Sequence, residues 1–132
     1  MAYWRFVEYV TEEEPRRCPI IEWYGTLDPE VQAEFDIQVK ALSEIDNWDD
    51  ARPKYKELDR QHAGLCELRL KVGKRHFRPI GVLLREERTF VFLGGCEKKG
   101  RGTTDPEQAF EIAMNLKRQL EAGKGALREY AF

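Results

Sequence analysis

The chain predicts an α+β fold: a small, twisted, mainly antiparallel β-sheet, built from an N-terminal strand and a three-stranded meander, with N-terminal and C-terminal helices packed on it. Three observations carry this. Period-two alternation runs from Leu65 to Val72 and leads into two further apolar segments, an apolar stripe at helical spacing follows Asp28, and a second amphipathic stretch starts at Asp105-Pro106. At 132 residues the chain reads as one domain, 1–132, large enough to bury a core without a staple.

The first ten residues, MAYWRFVEYV, read as the first strand. They lack the basic start, uninterrupted apolar run and cleavage site of a signal peptide, and no segment approaches the roughly 20 apolar residues needed to cross a bilayer. The expectation is a cytoplasmic protein with no membrane partner. A polar connector follows, and Pro19 starts a short helical segment through Tyr24.

Asp28, Pro29 and Glu30 give a helix start: a side-chain cap, a proline in the first turn and an acid near the positive dipole end. Val31, Phe35, Val39, Leu42 and Ile45 then form one apolar stripe, while Gln32, Glu34, Asp36 and Lys40 lie on the solvated side. Residues 46–50, DNWDD, break this helix, and the polar, Pro-containing 52–58 reads as a loop.

From Leu65, Cys66, Leu68, Leu70 and Val72 take one face of a strand and Glu67, Arg69 and Lys71 the other. Gly73-Lys74 suits a two-residue hairpin loop, a register that sets Arg69 opposite Arg78 and Lys71 opposite His76. Like charges facing each other across a ladder cost a few tenths of a kcal/mol or more, which a bridging anion would remove. A turn around Glu86-Glu87 returns the next strand from Thr89 alongside Ile80 to Leu84, and brings Lys98 and Lys99 back towards Arg75. One end of the sheet thereby collects Arg69, Lys71, Arg75, Arg78, Lys98, Lys99 and Arg101, a surface suited to a polyanion. Pro79 supplies no ladder donor and predicts a bulge or wider gap beside Arg78.

The last helix carries a capping-box pattern at Asp105 to Gln108, an apolar face of Ala109, Phe110, Ile112, Ala113, Leu116 and Leu120, and a stop at Gly123. Leu127, Tyr130 and Phe132 are possible anchors of a tail with no predicted place.

The formal net charge of −2 hides a segregation: from Arg52 to Arg101, 14 Lys and Arg against 6 Asp and Glu give +8, and 8 against 18 elsewhere give −10. The basic segment fits either a phosphate-binding surface or ordinary solubilising charge. Cys18, Cys66 and Cys96 have no metal-ligand spacing and read as buried free thiols, and no cofactor or metal is expected. The glycine-rich GCEKKGRG at 95–102 lacks the spacing of a nucleotide-binding loop.

Four elements together resemble the RelE/ParE superfamily of bacterial toxins, in particular its HigB-like, phage-derived branch: GLCELR at 64–69, FRPI at 77–80, FVFLGGC at 90–96, and EKK at 97–99 before a Pro-started helix. The resemblance runs from about Tyr3 to Gly123. It implies a RelE-like sheet with helices on one face, and a toxin that cleaves messenger RNA, often on the ribosome, until a helix-turn-helix antitoxin neutralises it. Cys96 stands where the family usually has an aromatic, and the loop from Gly100 to Asp105 is longer than usual.

Metal-free RNA cleavage uses the ribose 2′-hydroxyl as nucleophile and needs a base, an acid and cations around the phosphate. Arg69 and Arg78 are the first candidates for the cations because a guanidinium binds phosphate bidentately. Lys98 and Lys99, at the family's paired-lysine positions, follow as clamps or proton carriers. His76 is the first candidate for the proton transfer, with Glu97 as the alternative. Lys71, Arg75 and Arg101, with Arg52, Lys54 and Lys56 from the basic loop, are candidate RNA contacts or plain surface charges. Arg78 and His76 are both expected on the solvent face. A ParE-like DNA gyrase inhibitor, and a phage-derived binding protein that has lost catalysis, are the competing readings.

Overall fold

The computed structural model describes residues 2–51, 54–98 and 106–131. Its elements are β1 (Arg5–Val10), α1 (Pro19–Tyr24), α2 (Pro29–Ser43), β2 (Tyr55–Glu57), β3 (Cys66–Leu68), β4 (Leu70–Val72), β5 (Arg75–Leu84), β6 (Thr89–Lys98), α3 (Pro106–Glu121) and β7 (Ala126–Glu129), with short 3₁₀ turns at Trp48–Ala51 and Arg60–His62. The strands form one sheet in the order β2-β3-β5-β6-β1-β7, with β4 also pairing β5. Only β1 and β6 run parallel among these pairings. The predicted α+β class and mainly antiparallel sheet are therefore found. Among the described residues no helix is long and apolar enough to cross a membrane.

Helices cover both faces of the sheet, where one covered face was expected. On one side Val31, Phe35, Val39 and Leu42 of α2 pack with Phe6, Leu68, Leu70, Phe77, Phe90 and Phe92. On the other, Ala109, Ala113 and Leu116 of α3 pack with Val7, Tyr9, Ile80, Val82, Val91 and Leu93. The reason lies in the strands: β1 and β6 are apolar at successive positions, so each face must be removed from water. Val31, Phe35, Val39 and Leu42 of the predicted stripe are buried as expected, whereas Ile45 lies past the end of α2 and is half-buried, and Asp28 makes no side-chain cap. Ile112, placed by sequence on the buried face of α3, is instead 54% exposed.

Two segments without a predicted strand form edge strands. Tyr55–Glu57, read as loop, pairs with β3, since buried Tyr55 lies against Trp48 and leaves Lys56 and Glu57 outside. The unplaced tail forms β7 against β1 and delivers Tyr130 to the α2 side of the core. Gly123, at φ +77, ends α3 with Lys124 N donating to Gln119 O and Gly123 N to Leu120 O, the predicted stop.

Tyr130 also ties the tail to α2: its hydroxyl and that of Tyr24 each donate to a different carboxylate oxygen of Asp36, both at 2.7 Å. Burial first, then the bond to Asp36, pushes the Tyr24 phenol up to about 12 and shifts Tyr130 upward for the same reasons. A phenol held protonated by the fold adds stability that is complete below the unfolded value near 10 and lost as pH rises through the folded value. Stability should thus hold to about pH 10 and then fall. Alkaline titration followed by tyrosinate absorbance and circular dichroism checks this; ionisation of these two phenols below pH 10 with the fold intact would contradict it.

Candidate nucleic-acid interface

The predicted hairpin register is found, with Leu70 opposite Phe77, Lys71 opposite His76 and Val72 opposite Arg75. The same alignment governs Cys66 with Gly81 and Glu67 with Ile80, which sets Arg69 across from Arg78. β3 and β4 separate at Arg69, beside the donor-less Pro79. Arg69 N donates instead to Lys54 O at 2.8 Å, and Gln38 Nε2 of α2 donates to Arg69 O at 2.9 Å. A further irregularity between Ile80 and Gly81 shifts the β5–β6 register by one residue.

Alternation then sorts the charges. His76 and Arg78 share the face of Ile80, the side packed by α3, and β6 adds Lys98 opposite His76 and Cys96 opposite Arg78. One row across the sheet is Lys71, His76 and Lys98; the next is Arg69, Arg78 and the buried Cys96. Neighbours within a row are about 4.8 Å apart and the rows about 6.6 Å apart. β2 extends the surface, with exposed Lys56 opposite Glu67 and exposed Lys54 beside Arg69. Cys96 packs in the same cluster as Ala109, Ala113 and Leu116 of α3, whereas Lys54, Lys56, Lys71 and Lys98 are exposed and Arg69, His76 and Arg78 are half-buried.

Arg75 does not belong to this group. It lies on the α2 face, with its guanidinium 5.0 Å over the Phe77 ring, paired with both oxygens of Glu97 at 2.8 and 2.9 Å and with Asp28 Oδ2 at 2.9 Å. The bond to Glu97, with that to Asp28, holds its pKa above the ordinary arginine value. Glu97 is drawn to that same far side, so the expected gathering of Arg75, and of Glu97 as an alternative base, with Arg78 is corrected. The reason is period two: positions 75 and 97 are odd steps from 76, 78 and 98. Lys99, Arg101 and Arg52 lie outside the described residues.

Arg78 is less open than its sequence position suggested. Its side chain is 11% exposed, and its Nε lies 3.0 Å from Oε2 of Glu67, itself 7% exposed. The other oxygen of Glu67 is 4.0 Å from Arg69 Nη2. The anion that relieves the facing arginines is therefore supplied, in part, by the chain itself. Sequence reasoning gave Glu67 no role, yet the signal was present: a carboxylate two residues before Arg69 on the charged face of the same strand.

A family model described as Phage derived protein Gp49-like (DUF891) matches residues 22–118, a span that runs from the end of α1 through most of α3 and takes in every described residue of the basic rows. The chain belongs to the Gp49-like family. This phage-derived family is a RelE-related, toxin-like family of toxin–antitoxin systems. Neither the curated proteins nor the solved structures give a match. For this Gp49-like chain the described residues contain no group of three or more His, Cys, Asp or Glu suited to holding a metal ion. What the interface offers chemically is cations, one imidazole between two lysines, and one buried carboxylate.

Proposed function

We propose that this Gp49-like protein is the toxin of a toxin–antitoxin pair in the HigB-like branch, and that it cleaves messenger RNA on the ribosome by attack of a 2′-hydroxyl on the adjacent phosphate. The observation that carries the reading is the row of Lys71, His76 and Lys98 across one face of the sheet, with Arg69 and Arg78 in the next row on the same face. Arg69 and Arg78 hold the scissile phosphate and stabilise the charge that grows on it. His76 moves the proton, and Lys98 and Lys71 hold flanking phosphates. Lys54 and Lys56 continue the track along the edge strand, and Lys99 and Arg101 are further RNA contacts by their sequence position alone. Base recognition is weak, because Cys96 offers no ring for stacking. A helix-turn-helix antitoxin silences the toxin by covering this face, and the site works without a cofactor.

A ParE-like gyrase inhibitor would use the same fold without any proton-transfer group. Expression in cells separates the two. The nuclease reading predicts new transcript ends within messenger RNA and unaltered supercoiling by gyrase; intact transcripts with inhibited supercoiling would replace it by the gyrase reading, and neither effect would indicate a binding protein.

A further inference from the structure

We propose that Glu67 is the positioning residue of this interface: its carboxylate grips the Nε edge of Arg78 and screens Arg78 from Arg69, so that the remaining guanidinium donors face one phosphodiester. The consequence for catalysis rests on the nuclease reading, whereas the grip itself does not. A carboxylate with 7% exposure sits in the sheet because its Oε2 meets Arg78 Nε at 3.0 Å. The contact is an ion pair at the Nε edge of the guanidinium, which does not involve the Nη donors. Arg78 Nη1 has a long 3.5 Å contact to Phe77 O, which leaves donor capacity for a ligand.

Arg69 makes the complementary case. Its Nε is buried without a hydrogen-bond partner, the one such side-chain atom among the described residues, although its side chain is 38% exposed overall. A buried charged donor left unmade is costly, and an oxyanion that reaches it removes that cost. Two guanidiniums against one carboxylate leave one positive charge in this group. Glu67 is thus set as an orienting counter-charge, with its Oε2 held against Arg78 Nε.

Glu67→Gln keeps the size and an acceptor oxygen while removing the charge, and Glu67→Asp keeps the charge but withdraws it from Nε. Both should speed hydrogen exchange of the Arg78 Nε–H, read by NMR, at least 10-fold. In both, kcat should fall at least 10-fold. For Glu67→Gln, binding of a non-cleavable 2′-O-methyl oligonucleotide should hold or tighten, with a salt dependence steeper by about one phosphate. Unchanged Arg78 exchange in either folded variant would overturn the proposal. So would loss of the acid limb of the rate–pH profile with Arg78 unmoved, which would mark Glu67 as the base. If the wild type cleaves no RNA the nuclease reading fails alone, and Arg78 exchange, with inorganic phosphate titrated against the Arg69 and Arg78 signals, still decides the grip.

Discussion

Replacing Arg78 by alanine is expected to reduce messenger RNA cleavage roughly 30- to 1000-fold, the loss of a charge-assisted contact worth about 2 to 4 kcal/mol in the transition state. It should also destabilise the fold. The sequence reading placed Arg78 on the solvent face, but its side chain is 11% exposed and shields Glu67, so its removal strands a buried carboxylate. Breaking such a pair from one side costs about 3 to 5 kcal/mol, whereas removing both partners costs far less. Arg78→Ala, Glu67→Ala should therefore recover much of the urea midpoint while remaining inactive. A double variant as unstable as the single, or a folded Arg78→Ala that cleaves at the wild-type rate, would contradict this account of the pair.

The second large effect lies in the core. Phe35→Ala should cost about 3 to 5 kcal/mol, a substantial part of the 5 to 15 kcal/mol typical of a domain. Phe35 is buried among the rings of Trp23, Tyr24, Phe92 and Tyr130, with centroids 5.6 to 6.2 Å away, so its loss opens a cavity shared by α1, α2, β6 and the tail. Ile37, 61% exposed on the same helix, serves as the control, and Ile37→Ala should shift stability by no more than about 0.5 kcal/mol. Equal midpoints for the two variants in urea unfolding would refute the assigned core.

The legible and illegible parts of the chain divide along physical lines. The hairpin at Gly73-Lys74 could be read because short-range alternation fixes both its register and its faces, and Lys71 does oppose His76. The stripe from Val31 to Leu42 could be read because helical spacing is local. β7 could not, since among the described residues its strand partner is β1, more than a hundred residues away, and its own residues are all exposed. β2 is a three-residue polar edge whose pairing depends on β3 rather than on any pattern of its own. The second covered face was present in the apolar run of β6 but is ambiguous without a sheet order. At the interface, period two already separated Arg75 from Arg78. The capture of Arg78 by Glu67 depended on burial, which alternation does not report.

The central claim is that the face carrying Arg69, His76, Arg78 and Lys98 cleaves RNA through the 2′-hydroxyl. The most direct measurement is the chemistry of fragment ends after purified protein and messenger RNA are incubated with ribosomes in a chelator, compared with a folded Arg69→Ala, Lys98→Ala variant that leaves the Glu67–Arg78 pair in place. The account predicts 5′-hydroxyl and 2′,3′-cyclic or 3′-phosphate ends from the wild type and their loss from the variant. Ends bearing a 5′-phosphate, or undiminished cleavage by the folded variant, would contradict it.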